Sequence, residues 1–181
     1  NAKLNAGGVV DLAQRGSVIG ASGKVTVSQL SVGQQRQTTP PVDVEVDYQV
    51  GLNLPRKSAV LEKLTILGQQ NRMDLLRASL SRPMNLSWGD TAGTLPESNF
   101  QLALTELDLR EWGAVIATNL ESGRLNLQLE LHAQQDGKKL TTKLSVHLRD
   151  LKARWETNVV ERAEIKLGWS GVLENLSSLQ L

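Results

Sequence analysis

The segment from Gly123 to Leu148 alternates apolar and polar residues almost without interruption. Leu125, Leu127, Leu129 and Leu131 are separated by Asn126, Gln128 and Glu130, and after Asp136-Gly137 the pattern resumes with Leu140, Leu144, Val146 and Leu148. Such alternation gives a strand one apolar and one polar face. Asp-Gly between two such runs predicts a two-residue type I′ turn, because both central residues need positive φ. That turn sets the register: Leu125 opposes Leu148, Leu127 opposes Val146, Leu129 opposes Leu144 and Ala133 opposes Leu140. On the other face Glu130 opposes Lys143, an attractive cross-strand pair. A slip of one residue would carry a whole leucine row to the wrong side, so the register is firmly specified.

The same period marks further strands. Val42, Val44, Val46, Tyr48, Val50, Leu52 and Leu54 share one face of a segment bounded by Pro40-Pro41 and Pro55, with Asp43, Glu45, Asp47, Gln49 and Asn53 on the other. Proline ends such a strand because it donates nothing to the ladder. Shorter runs align Phe100, Leu102 and Leu104, then Ala163, Ile165, Leu167 and Trp169; Val25 with Val27, and Met84, Leu86 and Trp88, add pieces. One segment changes period. Leu109, Trp112, Ile116 and Leu120 fall at helical spacing after Asp108, which predicts a short helix from Asp108 towards Leu120, capped by Asp108 and stopped near Gly123. These elements predict an all-β fold of long antiparallel strands with one or two short helices.

At 181 residues the chain is long enough for one large β domain or two small ones. Two short echoes bear on the choice. "VLEKL" at Val60–Leu64 returns as "VLENL" at Val172–Leu176, and "LAQRG" at Leu12–Gly16 resembles "HAQQDG" at His132–Gly137. They predict a single β-rich piece, 1–181, of a longer repeat protein, with repeat units at about 1–70 and about 100–181.

Charge and composition narrow the function. Twenty basic and 19 acidic residues leave a net charge of +1, so no long-range field recruits nucleic acid or an anionic membrane. The absence of cysteine removes disulfides, thiolate metal sites and cysteine nucleophiles together. Leucine supplies 31 residues and the aromatics only six. A leucine-lined face suits a close-packed interior and equally a surface that accommodates flexible alkyl chains.

Candidate chemistry is sparse. His132 and His147 fall on the polar side of the hairpin, close to 20 Å apart at strand rise, too far to share a metal. The stretch Gly16–Val25 fails as a phosphate loop: Val18 occupies the first glycine position and Val25 the hydroxyl position. Gly168-Trp169-Ser170-Gly171 lacks a residue of the nucleophile elbow. Asp43, Glu45 and Asp47 line one strand without the turn that calcium loops need. The expectation is no enzyme, no cofactor and no metal.

Three segments resemble the AsmA-like proteins of Gram-negative envelopes. "RASLSRPMNLSW" (Arg77–Trp88) resembles their segment in which a leucine-serine pair precedes proline and an alternating strand. "LDLREW" (Leu107–Trp112) resembles their short strand-to-helix crossover, and "ESGRLNLQLELHAQQDGKKL" (Glu121–Leu140) the glycine-led strand and hairpin that follows. The best match covers about residues 77–150. The resemblance implies a long, curled antiparallel sheet, a β-groove or β-taco, like AsmA, TamB and the chorein-type bridge-like lipid transporters. It also implies a periplasmic location, with an inner-membrane anchor outside this chain and a part in outer-membrane biogenesis.

An apolar sheet face must be buried against a second sheet, a helix layer or lipid. One short helix is too little for a helix layer, which leaves self-packing and lipid. Under the resemblance the apolar face carries acyl chains of phospholipid or another lipid. Its candidate residues are Val44, Val46, Tyr48, Val50 and Leu52; Leu102 and Leu104; Leu125, Leu127, Leu129 and Leu131; Leu144, Val146 and Leu148; and Ile165 and Leu167. Inner- or outer-membrane proteins are the implied partners, and nucleic acid is not. The competing expectation is a closed β-sandwich, structural or adhesive, with no lipid ligand.

Overall fold

A computed structural model describes residues 2–34, 37–87, 97–116, 120–134, 139–155 and 158–174. It is all-β. Ten strands form one antiparallel sheet that does not close on itself. In chain order they are β1 (Lys3–Ala13), β2 (Val18–Leu30), β5 (Val42–Asn53), β6 (Ser58–Gln70), β7 (Met73–Arg82), β8 (Met84–Ser87), β9 (Ser98–Asp108), β10 (Leu120–Gln134), β11 (Lys139–Trp155) and β12 (Asn158–Glu174). Neighbours run β1-β2-β5-β6-β7-β9-β10-β11-β12, and β8 pairs with the other end of β6. A small hairpin, β3 (Gly33–Gln34) with β4 (Gln37–Thr38), lies between β2 and β5; a 3-10 turn at Gln14–Gly16 joins β1 to β2.

The β10–β11 register is the expected one from Leu125↔Leu148 through Leu129↔Leu144 to Gln134↔Lys139. The Asp136-Gly137 turn itself lies outside the described residues, as does Trp88. Glu130 stands opposite Lys143, but their charged ends do not meet: among the described residues neither joins an ion pair. β5 ends one residue early, because the Leu54 N–H turns back to the Ser17 carbonyl at 2.9 Å.

The helix, α1 (Leu109–Ile116), is shorter than its periodicity suggested, since Leu120 already belongs to β10. Asp108 caps it as expected, its Oδ1 accepting the Arg110 N–H at 2.9 Å. α1 lies over the apolar side at one end of the sheet. There Leu107, Leu109, Leu151, Ala153, Leu75 and Val42 form the only cluster of buried apolar residues among those described, with Trp112 packed on its flank. The β3–β4 hairpin also contacts α1. Gly123 makes room for this contact: a Cβ there would come 3.0 Å from Leu109 Cδ1.

Several strands change phase near that same end. The apolar positions step by three instead of two at Val27→Leu30, Leu104→Leu107, Leu148→Leu151 and Val160→Ala163. Each step coincides with a register shift, and in each an intervening residue has positive φ: Gln29 (57°), Glu106 (53°), Asp150 (51°) and Arg162 (54°). A bulge inserts one residue and flips every later side chain, so the sequence shifts its own phase to keep one face apolar. The bulges also bend and twist their strands. Left-handed φ at a residue with a Cβ costs about 1–2 kcal/mol. Arg162→Gly is therefore expected to stabilise the fold by about 0.5–1 kcal/mol, after allowing for the freer unfolded chain. Urea unfolding checks this, and a lower midpoint would show that the arginine side chain matters more than its backbone strain.

Candidate functional site

Backbone pairing carries apolar positions across the whole sheet in rows perpendicular to the strands. One row runs Ala6, Val25, Val46, Ile66, Ala78, Leu102, Leu129, Leu144, Trp169, a residue from each of nine strands. The next runs Leu4, Val27, Val44, Gly68, Leu76, Leu104, Leu127, Val146, Leu167. Directly paired residues of an antiparallel sheet project to the same side. The remaining candidates join that side through their own partners. Tyr48 pairs with Leu64, Val50 with Leu61, Leu52 with Ala59, Leu131 with Phe100, and Leu125 with both Leu107 and Leu148, the latter opposite Ile165. The sixteen residues named as candidates for the face project to this one side, whereas Leu54 falls outside β5.

The opposite side is polar along the same rows. Lys24, Asp47, Thr65, Ser79, Gln101, Glu130, Lys143 and Ser170 form one continuous series.

The sequence reading missed β1 (Leu4, Val10, Leu12), β6 (Leu61, Leu64, Ile66) and β7 (Leu76, Leu80) as contributors. In β6 the Leu61→Leu64 step hides the period, because Glu62 is an extra residue against β5. In β1 the pattern is diluted by Ala6 and Gly8. Gly8 and its neighbour Gly23 accept the ring of Tyr48; a Cβ on Gly23 would lie 2.9 Å from the phenol oxygen.

No second layer covers this face away from α1 and β3–β4 among the described residues. No large side chain among the described residues is fully buried, and the outer strands leave Leu4 68 %, Leu167 54 % and Trp169 52 % exposed. Nine strands at about 4.8 Å spacing and roughly 30 Å of strand give an apolar face on the order of 1,000 Å². The largest patch on a typical monomer is about 300–600 Å².

The charged clusters lie on the other side. At the β9 bulge the Glu106 N–H donates to Asn126 Oδ1 at 3.0 Å, and Asn126 Nδ2 donates back to the Glu106 carboxylate at 2.8 Å. Arg149 donates to both Glu106 oxygens at 2.6 and 2.7 Å, and Arg124 stands 3.6 Å away. Asn126 first, then the two arginines, hold the Glu106 carboxyl below the usual carboxylate range. Asp74, Glu97 and Glu164 are lowered too, each by a hydrogen bond as the largest cause, from Gln69, Gln134 and Lys166 respectively. Their contribution to stability is present above the unfolded carboxylate pKa and lost as pH falls through the folded values. Stability is thus expected to decline on acidification below about pH 4.5. Glu106→Gln should flatten part of that decline in pH-dependent urea titrations; an unchanged acid limb would rule the clamp out as a contributor.

His132 and His147 stand apart, facing Glu97 at 3.4 Å and Glu164 at 2.7 Å. Among the described residues no group of three or more His, Asp or Glu side chains is placed to hold a metal ion, and no helix is long and apolar enough to cross a membrane. No protein-family model matches the chain, and neither a curated protein nor a solved structure shows significant similarity to it.

Proposed function

We propose that the uncovered apolar face is a seat for acyl chains, and that the chain is a lipid-binding or lipid-transport module of a bacterial envelope. One observation carries this reading: apolar rows run unbroken across nine strands, and among the described residues no protein layer lies over most of their length. Water in contact with such a face costs about 25 cal/mol per Å² of apolar area, a cost that alkyl chains remove. Rows about 7 Å apart leave furrows between them in which an extended chain lies perpendicular to the strands. Headgroups would then remain at the rim, in solvent. The resemblance of Arg77–Trp88, Leu107–Trp112 and Glu121–Leu140 to AsmA-like segments supplies the biological setting of the proposal. That setting is the periplasm, with phospholipid as cargo and membrane proteins of either membrane as partners.

The alternative, a closed sandwich without lipid, needs a second layer for the leucine rows to pack on. Only α1 and the β3–β4 hairpin lie over that face among the described residues, and they occupy one end. Native mass spectrometry and lipid extraction of the purified protein, with a fluorescent fatty-acid probe titrated into the delipidated form, test the reading. Co-purifying acyl lipid and saturable probe binding are expected. A lipid-free protein that ignores the probe would overturn it.

A further inference from the structure

Between β7 and β9 the sheet comes apart at the end nearest α1. Their ladder stops at Leu76↔Leu104, yet β7 begins at Met73 and β9 runs on to Asp108. Two bulges part the strands. Leu75 is an extra residue of β7 against β6, between Gly68↔Leu76 and Gln69↔Asp74. Glu106, at φ 53°, marks the extra residue of β9 against β10. A bulge bends its own strand, so β7 leaves with β6 and β9 with β10. A cavity of about 450 Å³ opens in this fork. Small-molecule sites run from about 300 to 1,000 Å³.

The walls of the fork differ in chemistry. Leu75 belongs to the buried apolar cluster, and Gln70 and Glu111 lie on the side that α1 covers. Glu106 and Arg124 line it from the polar side, where their side chains are 40 % and 52 % exposed. The fork thus joins solvent to the apolar face beside Leu76 and Leu104, which belong to one of its rows. We propose that this cavity seats the headgroup of a phospholipid bearing a primary amine, with its phosphate at Arg124 and its ammonium at Asp108 and Glu111. The proposal rests on the acyl-chain reading of the face.

The charges select that headgroup. Glu106 already takes two hydrogen bonds from Arg149, so Arg124, 3.6 Å away, is a second cation on one carboxylate. Asp74 is paired with Arg77. Asp108 accepts the Arg110 N–H and Glu111 accepts the Gln70 amide, but among the described residues neither joins an ion pair. Three apart at the start of α1, these two carboxylates are neighbours. The fork therefore has a positive charge to spare on one wall and negative charge on another. A simple anion or a simple cation matches only one of them; a phosphate linked to an amine matches both. A primary ammonium can donate to both carboxylates. A quaternary ammonium donates nothing and is held by aromatic rings, and no aromatic residue among those described lines this cavity. A water-soluble phosphoamine carries the same groups. The apolar row at the mouth of the fork favours the lipid, whose chains bury area there while its head is held.

Calorimetric titration of the delipidated protein tests this. The ligands are dihexanoyl phosphatidylethanolamine, dihexanoyl phosphatidylcholine and dihexanoylglycerol, each below its aggregation concentration, and chain-free glycerophosphoethanolamine. The ethanolamine lipid should bind at least about tenfold tighter than the choline lipid, and at least about tenfold tighter than glycerophosphoethanolamine. Asp108→Asn combined with Glu111→Gln keeps a capping side chain and the contact with Gln70, and should bring the two phospholipids to equal affinity. Arg124→Gln should lower both towards the affinity of dihexanoylglycerol. Equal binding of the two phospholipids by the unaltered protein, or an amine preference that survives the double substitution, would overturn the headgroup site and leave the acyl-chain reading standing. Glycerophosphoethanolamine binding as tightly as the lipid would overturn the lipid as its source. Failure of all four ligands to bind would overturn both readings.

Discussion

Leu127→Asp is expected to abolish binding of an acyl probe while leaving the protein folded. Leu127 sits in the middle of a nine-strand row, between Leu104 of β9 and Val146 of β11, and is half-buried. Two energies decide the outcome. On an uncovered face the new carboxylate keeps its water, and the loss is limited to side-chain contact, about 1–2 kcal/mol at 25 cal/mol per Å². Under a second protein layer the same group would be an unpaired buried charge, with a penalty above about 4 kcal/mol, enough to unfold a marginal domain. For the ligand the change is severe, because an alkyl chain following the row would have to displace that water. Probe titration and urea unfolding on the same variant separate the possibilities. A folded variant that still binds sinks the acyl-chain reading, and an unfolded one shows that the face is covered. Val146→Asp, its cross-strand neighbour, should behave alike.

The parts of this fold legible in the sequence are those where one interaction dominates. The β10–β11 register followed from alternation and turn chemistry, since both act between residues near in sequence. The β6–β7 hairpin did not, although a tight two-residue turn joins its strands. Asn71 and Arg72 both adopt positive φ, at 52° and 64°, and arginine in the second place gives no signal. Phase shifts hid other strands. A search for strict period two loses β6 at Glu62 and ends β9 at Leu104 and β11 at Leu148, although both strands run on past bulges. Read as three-residue steps, Leu61→Leu64, Leu104→Leu107 and Leu148→Leu151 mark those bulges in the sequence itself. The candidate face was legible in membership and not in extent. Alternation says which side of a strand avoids water, but what covers that side depends on contacts between residues far apart in the chain. The docking of α1 beside Val42, across several intervening strands, is such a contact.

Leu109→Ala should be as damaging to stability as Leu127→Asp is to binding. Leu109 is the first residue of α1 and only 3 % exposed, packed with Leu107, Leu151 and Ala153 in the buried cluster that ties the helix to the sheet. Truncating a buried leucine removes its transfer energy and leaves a cavity, a loss of about 2–5 kcal/mol. Little can relax into the space. Gly123 on one side has no side chain, and the Leu148 methyl already lies within 3.4 Å of where a Cβ there would be. The helix has few other ties, chiefly the Trp112 Nε1–H donated to Gln70 Oε1 at 3.0 Å and the Gln70 amide donated to Glu111. Loss of Leu109 should therefore lower the urea midpoint of the whole domain and expose amides of α1 to hydrogen exchange first. Leu127→Ala, on the uncovered face, should cost less, about 1–2 kcal/mol, since that half-buried side chain keeps some contact with water and its loss leaves no enclosed cavity. Equal losses in the two alanine variants would mean that Leu127 is as deeply covered as Leu109, and the open face would have to be given up.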